Sequence, residues 1–158
     1  MTVLHTEAVG WIGRDVRILS GEEELTRLHI SGFRKKGSFE MDGASFSIEP
    51  QGFFGANAVL KKGTATLARV EKTSLFRRRF KISSAGYSLF LESRSLFGKE
   101  YVLLVGGQEV GSVRRRGMTG RRMSLDFPDE FPLFMIILLA YLVESQARRE
   151  AATSAAGG

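Results

Sequence analysis

The chain has 158 residues, 43% of them hydrophobic and 25% charged, which is enough for one core and too few for two ordinary domains. It has no cysteine and only two histidines, His5 and His29, so disulfides, thiolate metal centres, iron–sulfur clusters and histidine-rich metal sites are excluded. The net charge of +6 is unevenly carried: between Phe76 and Arg122 eleven Lys and Arg stand against three acids, Glu92, Glu100 and Glu109, while the remainder is net negative by two. Such a segment can present a positive face to the phosphates of lipid head groups or nucleic acid, although arginines at strand ends also serve solubility.

From Thr2 to about Phe127 short apolar-alternating runs are broken by Gly, Asp and Ser. The alternation predicts strands at Asp15–Leu19, Arg27–Ser31, Gly37–Met41, Ala44–Ile48, Ala56–Leu60 and Thr64–Val70. It predicts five more at Arg78–Ser83, Tyr87–Glu92, Glu100–Val105, Gln108–Arg114 and Arg122–Asp126. One strand in about every 10–12 residues is the cadence of an antiparallel barrel or sandwich. Asp42-Gly43 suits a two-residue hairpin turn, which sets Met41 opposite Ala44 and Phe39 opposite Phe46. Gly106-Gly107 should place Leu103 opposite Val110, and Ala85-Gly86 should bring Ile82 over Leu89.

After Asp126 the pattern changes to FPLFMIILLAYLV, Phe131 to Val143, followed by Glu144 and a polar stretch. Pro132 suits a first helical turn, Asp129 and Glu130 favour its positive end, and Arg148 and Arg149 its negative end, so one helix is expected over about 132–149. It is apolar on every side, hence either wholly enclosed or in a membrane. Thirteen residues reach about 20 Å against roughly 30 Å of hydrocarbon, which favours enclosure over a tail anchor. The expected architecture is therefore a mainly β, closed antiparallel barrel of about twelve strands around one C-terminal hydrophobic α-helix. It forms a single unit over 1–150, with 151–158 a disordered low-complexity tail.

At the residue level, RRRFKISSAGYSLFLESRSLFGKEYVLLVGGQEVGSVRRR and the following MSLDFPDEFPLFMIILLAYLVES carry a resemblance. Tyr87-x-Leu89, Gly98-Lys99-Glu100-Tyr101, Glu109-Val110-Gly111-x-Val113 and the apolar terminal helix resemble, in that order, the LURP-one-related and phospholipid-scramblase-like branch of the tubby C-terminal-like superfamily. The likeness covers about Arg77 to Ser145. It implies a tubby-like barrel and, by association, phosphoinositide or other membrane-lipid binding. The cysteine-rich segment and the acidic calcium loop of the scramblase branch have no counterpart here.

Chemistry is sparse. No GxSxG elbow occurs, and His29, flanked by Leu28 and Ile30, reads as an outward strand residue. Gly32-Phe-Arg-Lys-Lys-Gly37-Ser38 lacks the Lys and the helix of a phosphate-binding loop and reads as a basic turn. Glu22-Glu23-Glu24 reads as an acidic turn, Asp126, Asp129 and Glu130 as helix-entry residues, and Phe53-Phe54 as core rather than as a lipid-inserting pair. No catalytic residue, metal or cofactor is expected. The basic clusters remain: Arg77, Arg78, Arg79, Arg114, Arg115, Arg116, Arg121 and Arg122 are the candidate anion-binding residues, because the planar fork of arginine suits phosphate. Alternation forbids three consecutive arginines on one face, so the triplets should sit at rims or turns.

These readings favour a non-enzymatic module that binds phosphoinositide or acidic lipid head groups at a membrane surface. A protein-interaction scaffold and, less favoured, a nucleic-acid binder are the alternatives. Met1–Glu7 lacks a basic start leading into an apolar run, which predicts a cytoplasmic protein, peripheral at the inner face of the membrane if it binds lipid.

Overall fold

Twelve strands pair in chain order, each antiparallel to the next, and the first closes on the last. They are β1 (Thr2–Val9), β2 (Asp15–Ser20), β3 (Glu23–Ile30), β4 (Gly37–Met41), β5 (Ala44–Gln51) and β6 (Asn57–Lys62), then β7 (Ala65–Lys72), β8 (Arg79–Ser84), β9 (Tyr87–Ser93), β10 (Glu100–Val105), β11 (Gln108–Arg116) and β12 (Arg122–Phe127). One helix, α1 (Leu133–Gly157), follows. The computed structural model describes residues 2–9, 15–31, 35–52, 57–73, 78–95, 98–116 and 122–157, with side chains as far as 152. Closure leaves no unpaired sheet edge, and the architecture is compatible with a tubby-like fold.

An uninterrupted antiparallel meander sends its connections alternately to the two ends. At one end β2–β3, β4–β5, β6–β7, β8–β9 and β10–β11 are joined by two residues each, and β12 passes into α1. At the other, five or six residues join each pair. The tight turns take positive φ: Asp42 and Gly43 stand at 50° and 75°, Gly106 and Gly107 at 58° and 81°. Met41 pairs with Ala44 and Phe39 with Phe46, whose rings stack 4.9 Å apart, as the Asp42-Gly43 turn predicts. Ile82 likewise pairs with Leu89.

The helix supplies the core. Nine consecutive residues, Met135 to Val143, are buried, which only cover from all sides can achieve. Contacts come from across the barrel: Phe134 stacks near Phe46 of β5, Tyr141 lies against Gly37 of β4, and Gln146 meets Lys72 of β7. Among the described residues no helix is long and apolar enough to cross a membrane.

Three expectations need correction. First, β1 went unpredicted because its inward positions include Thr6, whose hydroxyl accepts the Met123 N–H at 3.1 Å; a polar inward residue masks the alternation. Second, β3 begins at Glu23, so Glu23 and Glu24 are strand residues and not turn residues. A bulge after Ile18 leaves Leu25 without a partner and breaks the apolar rhythm there. Third, a bulge after Leu103 places Gly111, not Val110, opposite it. This matters because the Phe127 ring packs where a Gly111 side chain would stand, 2.3 Å from an ideal Cβ. Helix α1 runs from Leu133 to Gly157, and the small residues following Glu150 are compatible with helix. At the helix entrance the Asp129 carboxylate accepts the Thr2 hydroxyl and ties β1 to it.

Candidate functional site

The two ends differ in charge. The six connections at the tight-turn end contain Glu22, Asp42, Asp129 and Glu130 and no basic residue. Those at the opposite end, here called the mouth, contain Arg14, Arg34, Lys35, Lys36, Arg77, Arg78, Arg94, Lys99 and Arg121 and no acid. Because β8 starts and β11 ends at the mouth, Arg78 and Arg79 share a rim with Arg114, Arg115 and Arg116.

Strand alternation then divides the arginines into two groups. Arg79 and Arg114 lie on the outer wall and face glutamates in register across a strand pair. Arg79 Nε is 2.6 Å from Glu92, with its guanidinium 4.3 Å from the centre of the Phe90 ring, and Arg114 is 3.3 Å from Glu100. Exposed pairs of this kind contribute about 0–1 kcal/mol each. Arg116 and Arg122 are exposed and opposite one another in the β11–β12 register; among the described residues neither forms an ion pair. Arg77 and Arg121 lie outside the described residues, as do Phe53, Phe54, Phe76, Gly32, Phe33 and Arg34.

Arg78 and Arg115 turn the other way, into the mouth, where α1 emerges. Arg78 Nε donates to the Glu150 carboxylate. Gln146 Nε2 donates to the same carboxylate at 3.1 Å, and Lys72 Nζ reaches Gln146 Oε1 at 3.4 Å. Arg115 pairs in register with inward Met123. The Tyr141 hydroxyl donates to the Lys35 carbonyl at 2.7 Å and fixes the β3–β4 connection against the helix. Tyr101, 1% exposed, brings its hydroxyl to the same place: an ideal Cβ on Gly98 would stand 3.0 Å from Arg78 Nε and 3.3 Å from Tyr101 Oη.

Electrostatics at the mouth follow from crowding of like charge around one carboxylate. Burial pulls the Lys72 ammonium below its ordinary range, and Arg149 and Arg78 add to that, opposed by Glu150. Lys35 is likewise lowered by burial and by Arg149 and Arg148. Burial works to raise Glu150, but hydrogen bonds from Arg78 and Gln146 and the charges of Arg78 and Arg115 overcome it, so the carboxyl lies below the usual range. Burial, and then Glu150, push the Tyr101 phenol well above its ordinary range.

Elsewhere the chemistry is modest. His29 is outward, as its alternation predicts, and its Nδ1 stands 2.5 Å from Asp15 Oδ1. Ser38 faces it in the β3–β4 register, yet among the described residues no hydrogen bond joins the two. No group of three potential metal ligands occurs among the described residues. Lys72, Tyr101, Gln146 and Glu150 are the mouth residues that motif reading misses. The available signal is parity: Val70 and Val113 are inward, so Lys72 and Arg115, two positions on, must be inward as well.

Compared with protein-family models, with curated proteins and with solved structures, the chain matches none.

Proposed function

We propose that the protein is a non-enzymatic binding module whose mouth end docks on anionic phospholipid surfaces, the barrel axis standing across the plane of the membrane. The observation that carries this reading is the one-ended charge: nine cations without an acid in the mouth connections, four acids without a cation in the opposite ones. A dipolar barrel of this kind is oriented by a negative surface before contact, and each basic residue near such a surface contributes about 1 kcal/mol. The same connections are, in sequence, the segments that contain Trp11, Phe33, Phe53, Phe54, Phe76 and Phe97. Aromatic residues interspersed with arginine are the composition of membrane–water interfaces. The resemblance of Arg77 to Ser145 to tubby-like, LURP-one-related chains supports lipid binding by association, and the setting we propose for it is the inner face of the membrane.

The test is co-sedimentation with vesicles of neutral phosphatidylcholine, with and without phosphatidylglycerol, at low and physiological salt. Binding should require the acidic lipid, weaken with salt, and fall steeply when Arg77–Arg79, Arg114–Arg116, Arg121 and Arg122 are replaced by Gln. Undiminished binding by that variant overturns the assignment. Tight, salt-steep binding to DNA or RNA instead of vesicles would favour the nucleic-acid alternative, and salt-independent capture of one protein the scaffold.

A further inference from the structure

The tight-turn end is not uniform. Around the barrel the links Gly63-Thr64, Ala85-Gly86 and Gly106-Gly107 follow one another and carry no charge. The links that complete the ring contain Glu22, Asp42, Asp129 and Glu130. Glu22, Asp42 and Glu130 are exposed and, among the described residues, form no ion pair. The two lysines that end β6 are engaged elsewhere, Lys61 with Glu49 at 3.0 Å and Lys62 over Phe46, 5.8 Å from the ring centre. Apolar exposure gathers at the same end. Among the described residues the exposed large apolar side chains are Val3, Leu25, Tyr87 and Val105, each within three residues of its strand's terminus at this end. Single exposed apolar residues are ordinary, whereas a gathering edged by charge marks an interaction surface. Next to Tyr87 the wall opens. Pairing between β7 and β8 stops at Arg69 and Ser83, so residues 65–68 of β7 run on without β8. The notch left there has a volume of about 220 Å³ and is lined by residues that include Thr66, Leu67, Arg69, Ser83 and Ala85. The Ser84 hydroxyl donates to the Leu67 carbonyl across it at 2.8 Å.

We propose that this end docks a basic segment of another protein, with its cations over the acidic half and one apolar anchor in the β7–β8 notch. The proposal goes beyond the lipid-surface reading and uses no residue of the mouth. Charge and size choose the occupant. Exposed carboxylates without an internal ion pair repel anionic lipid and nucleic acid and attract Lys and Arg. Small-molecule sites occupy roughly 300–1,000 Å³, so the notch is too small for a cofactor-sized ligand and suits one side chain. A pocketed apolar anchor with charges at the edge is also how binding energy is concentrated in protein interfaces. A segment with both features is amphipathic, and the division of the end into an uncharged and an acidic half matches its two faces.

Fluorescence anisotropy of a labelled amphipathic Lys/Leu peptide titrated with the full chain tests this, with Lys/Ser and Glu/Leu peptides of equal length as controls. The Lys/Leu peptide should bind saturably and more weakly as salt rises, and both controls should bind roughly tenfold or more weaker. The triple variant Glu22→Gln, Asp42→Asn, Glu130→Gln should weaken binding roughly fivefold or more and flatten its salt dependence. Asparagine tolerates the φ of 50° at position 42, so the hairpin is retained. Tyr87→Ser and the notch-filling Ser83→Trp should each weaken binding roughly fivefold or more. Sedimentation velocity of the chain without peptide reads the competing occupant, a second copy. Concentration-dependent association that the triple variant abolishes would give this end to that copy and overturn the proposal. Absence of Lys/Leu binding overturns it too, as does equal affinity for the Glu/Leu peptide. Unchanged affinity in the triple variant, or in both Tyr87→Ser and Ser83→Trp, has the same consequence. Phosphatidylglycerol sedimentation reports separately on the mouth, so either reading can fail without the other. The triple variant is conservative and exposed, and it carries the test even if Ser83→Trp fails to fold.

Discussion

The two ends of this barrel are built by opposite means. At the tight-turn end two-residue links with positive φ hold adjacent strands at fixed register, and α1 enters with Phe131 stacked 5.3 Å from Phe127. Apolar contact and turn geometry do the work there. At the mouth the links are longer and basic, the core gives way to Lys72, Arg78, Arg115 and Glu150, and order depends on charge and hydrogen bonds. One rod joins the two regimes: α1 is apolar through Val143 and polar from Glu144 onward. The contrast teaches that this fold separates apolar packing from basic charge along its axis. One end is apolar and tightly turned while the other concentrates basic side chains.

The largest effect that can break this picture lies midway along the rod. Leu138 is fully enclosed, so Leu138→Lys buries a charge with no partner and should cost more than about 5 kcal/mol, enough to abolish folding. Ala151→Lys, on the same helix beyond the mouth, should leave thermal stability unchanged within about 0.5 kcal/mol. Equal behaviour of the two variants in a soluble-expression and circular-dichroism assay would show that the rod is not enclosed. Next in size is Gly111→Val, near the tight-turn end. Its Cβ would meet the Phe127 ring at 2.3 Å and the Asp126 carbonyl at 2.8 Å, so a loss of about 3 kcal/mol is expected in denaturant unfolding.

Acid titration separates the ends by their carboxylates. Glu150 at the mouth is lowered on balance by Arg78 and Gln146 against the pull of burial, and Asp129 at the other end is lowered by Thr2 and the N-terminus. A carboxyl depressed in the folded state adds stability that is complete above its unfolded pKa and is lost as pH falls through the folded value. Glu150→Gln should therefore flatten the decline of thermal midpoint below about pH 4.5, with little change in the decline above it. A decline as steep as that of the parent chain would mean that the Arg78 contact adds nothing to stability.

Much of this was legible in the sequence, and the parts that were not share a cause. Asp42-Gly43 and Ala85-Gly86 announce their hairpins because turn chemistry and alternation agree, and both registers hold. FPLFMIILLAYLV announces an enclosed helix because no polar stripe interrupts it. The bulges after Ile18 and Leu103 were hidden, since one inserted residue shifts the register without altering composition. The site was half visible. The arginine triplets stand out as charge, but that they share a rim follows only once the meander is known to be unbroken. That Arg78 and Arg115 point inward while Arg79 and Arg114 are held by wall glutamates follows from parity counted from the buried Phe80 and Val113. Glu150 escaped because residues near it were assigned to the helix end and tail, although Gln146 and Glu150 are spaced four apart on one helical face.

The smallest expected difference sharpens the comparison most. Gly43 and Gly98 have similar backbones, with φ of 75° and 64°, one in a tight turn and one at the mouth. Alanine at either position carries the same left-handed strain, about 1 kcal/mol. Around Gly43 nothing lies within 4 Å of the added methyl, so that strain is the whole effect. At Gly98 the methyl would also crowd Arg78 Nε at 3.0 Å and Tyr101 Oη at 3.3 Å. The arginine is long enough to yield by a few tenths of an ångström, so the additional loss should stay below about 1 kcal/mol. Arg78 belongs to the basic mouth, so Gly98→Ala should weaken sedimentation with phosphatidylglycerol vesicles and Gly43→Ala should leave it unaffected. Matched stability losses with unmatched vesicle binding would locate recognition at the mouth. Matched affinities would separate Gly98 and its two neighbours from any ligand.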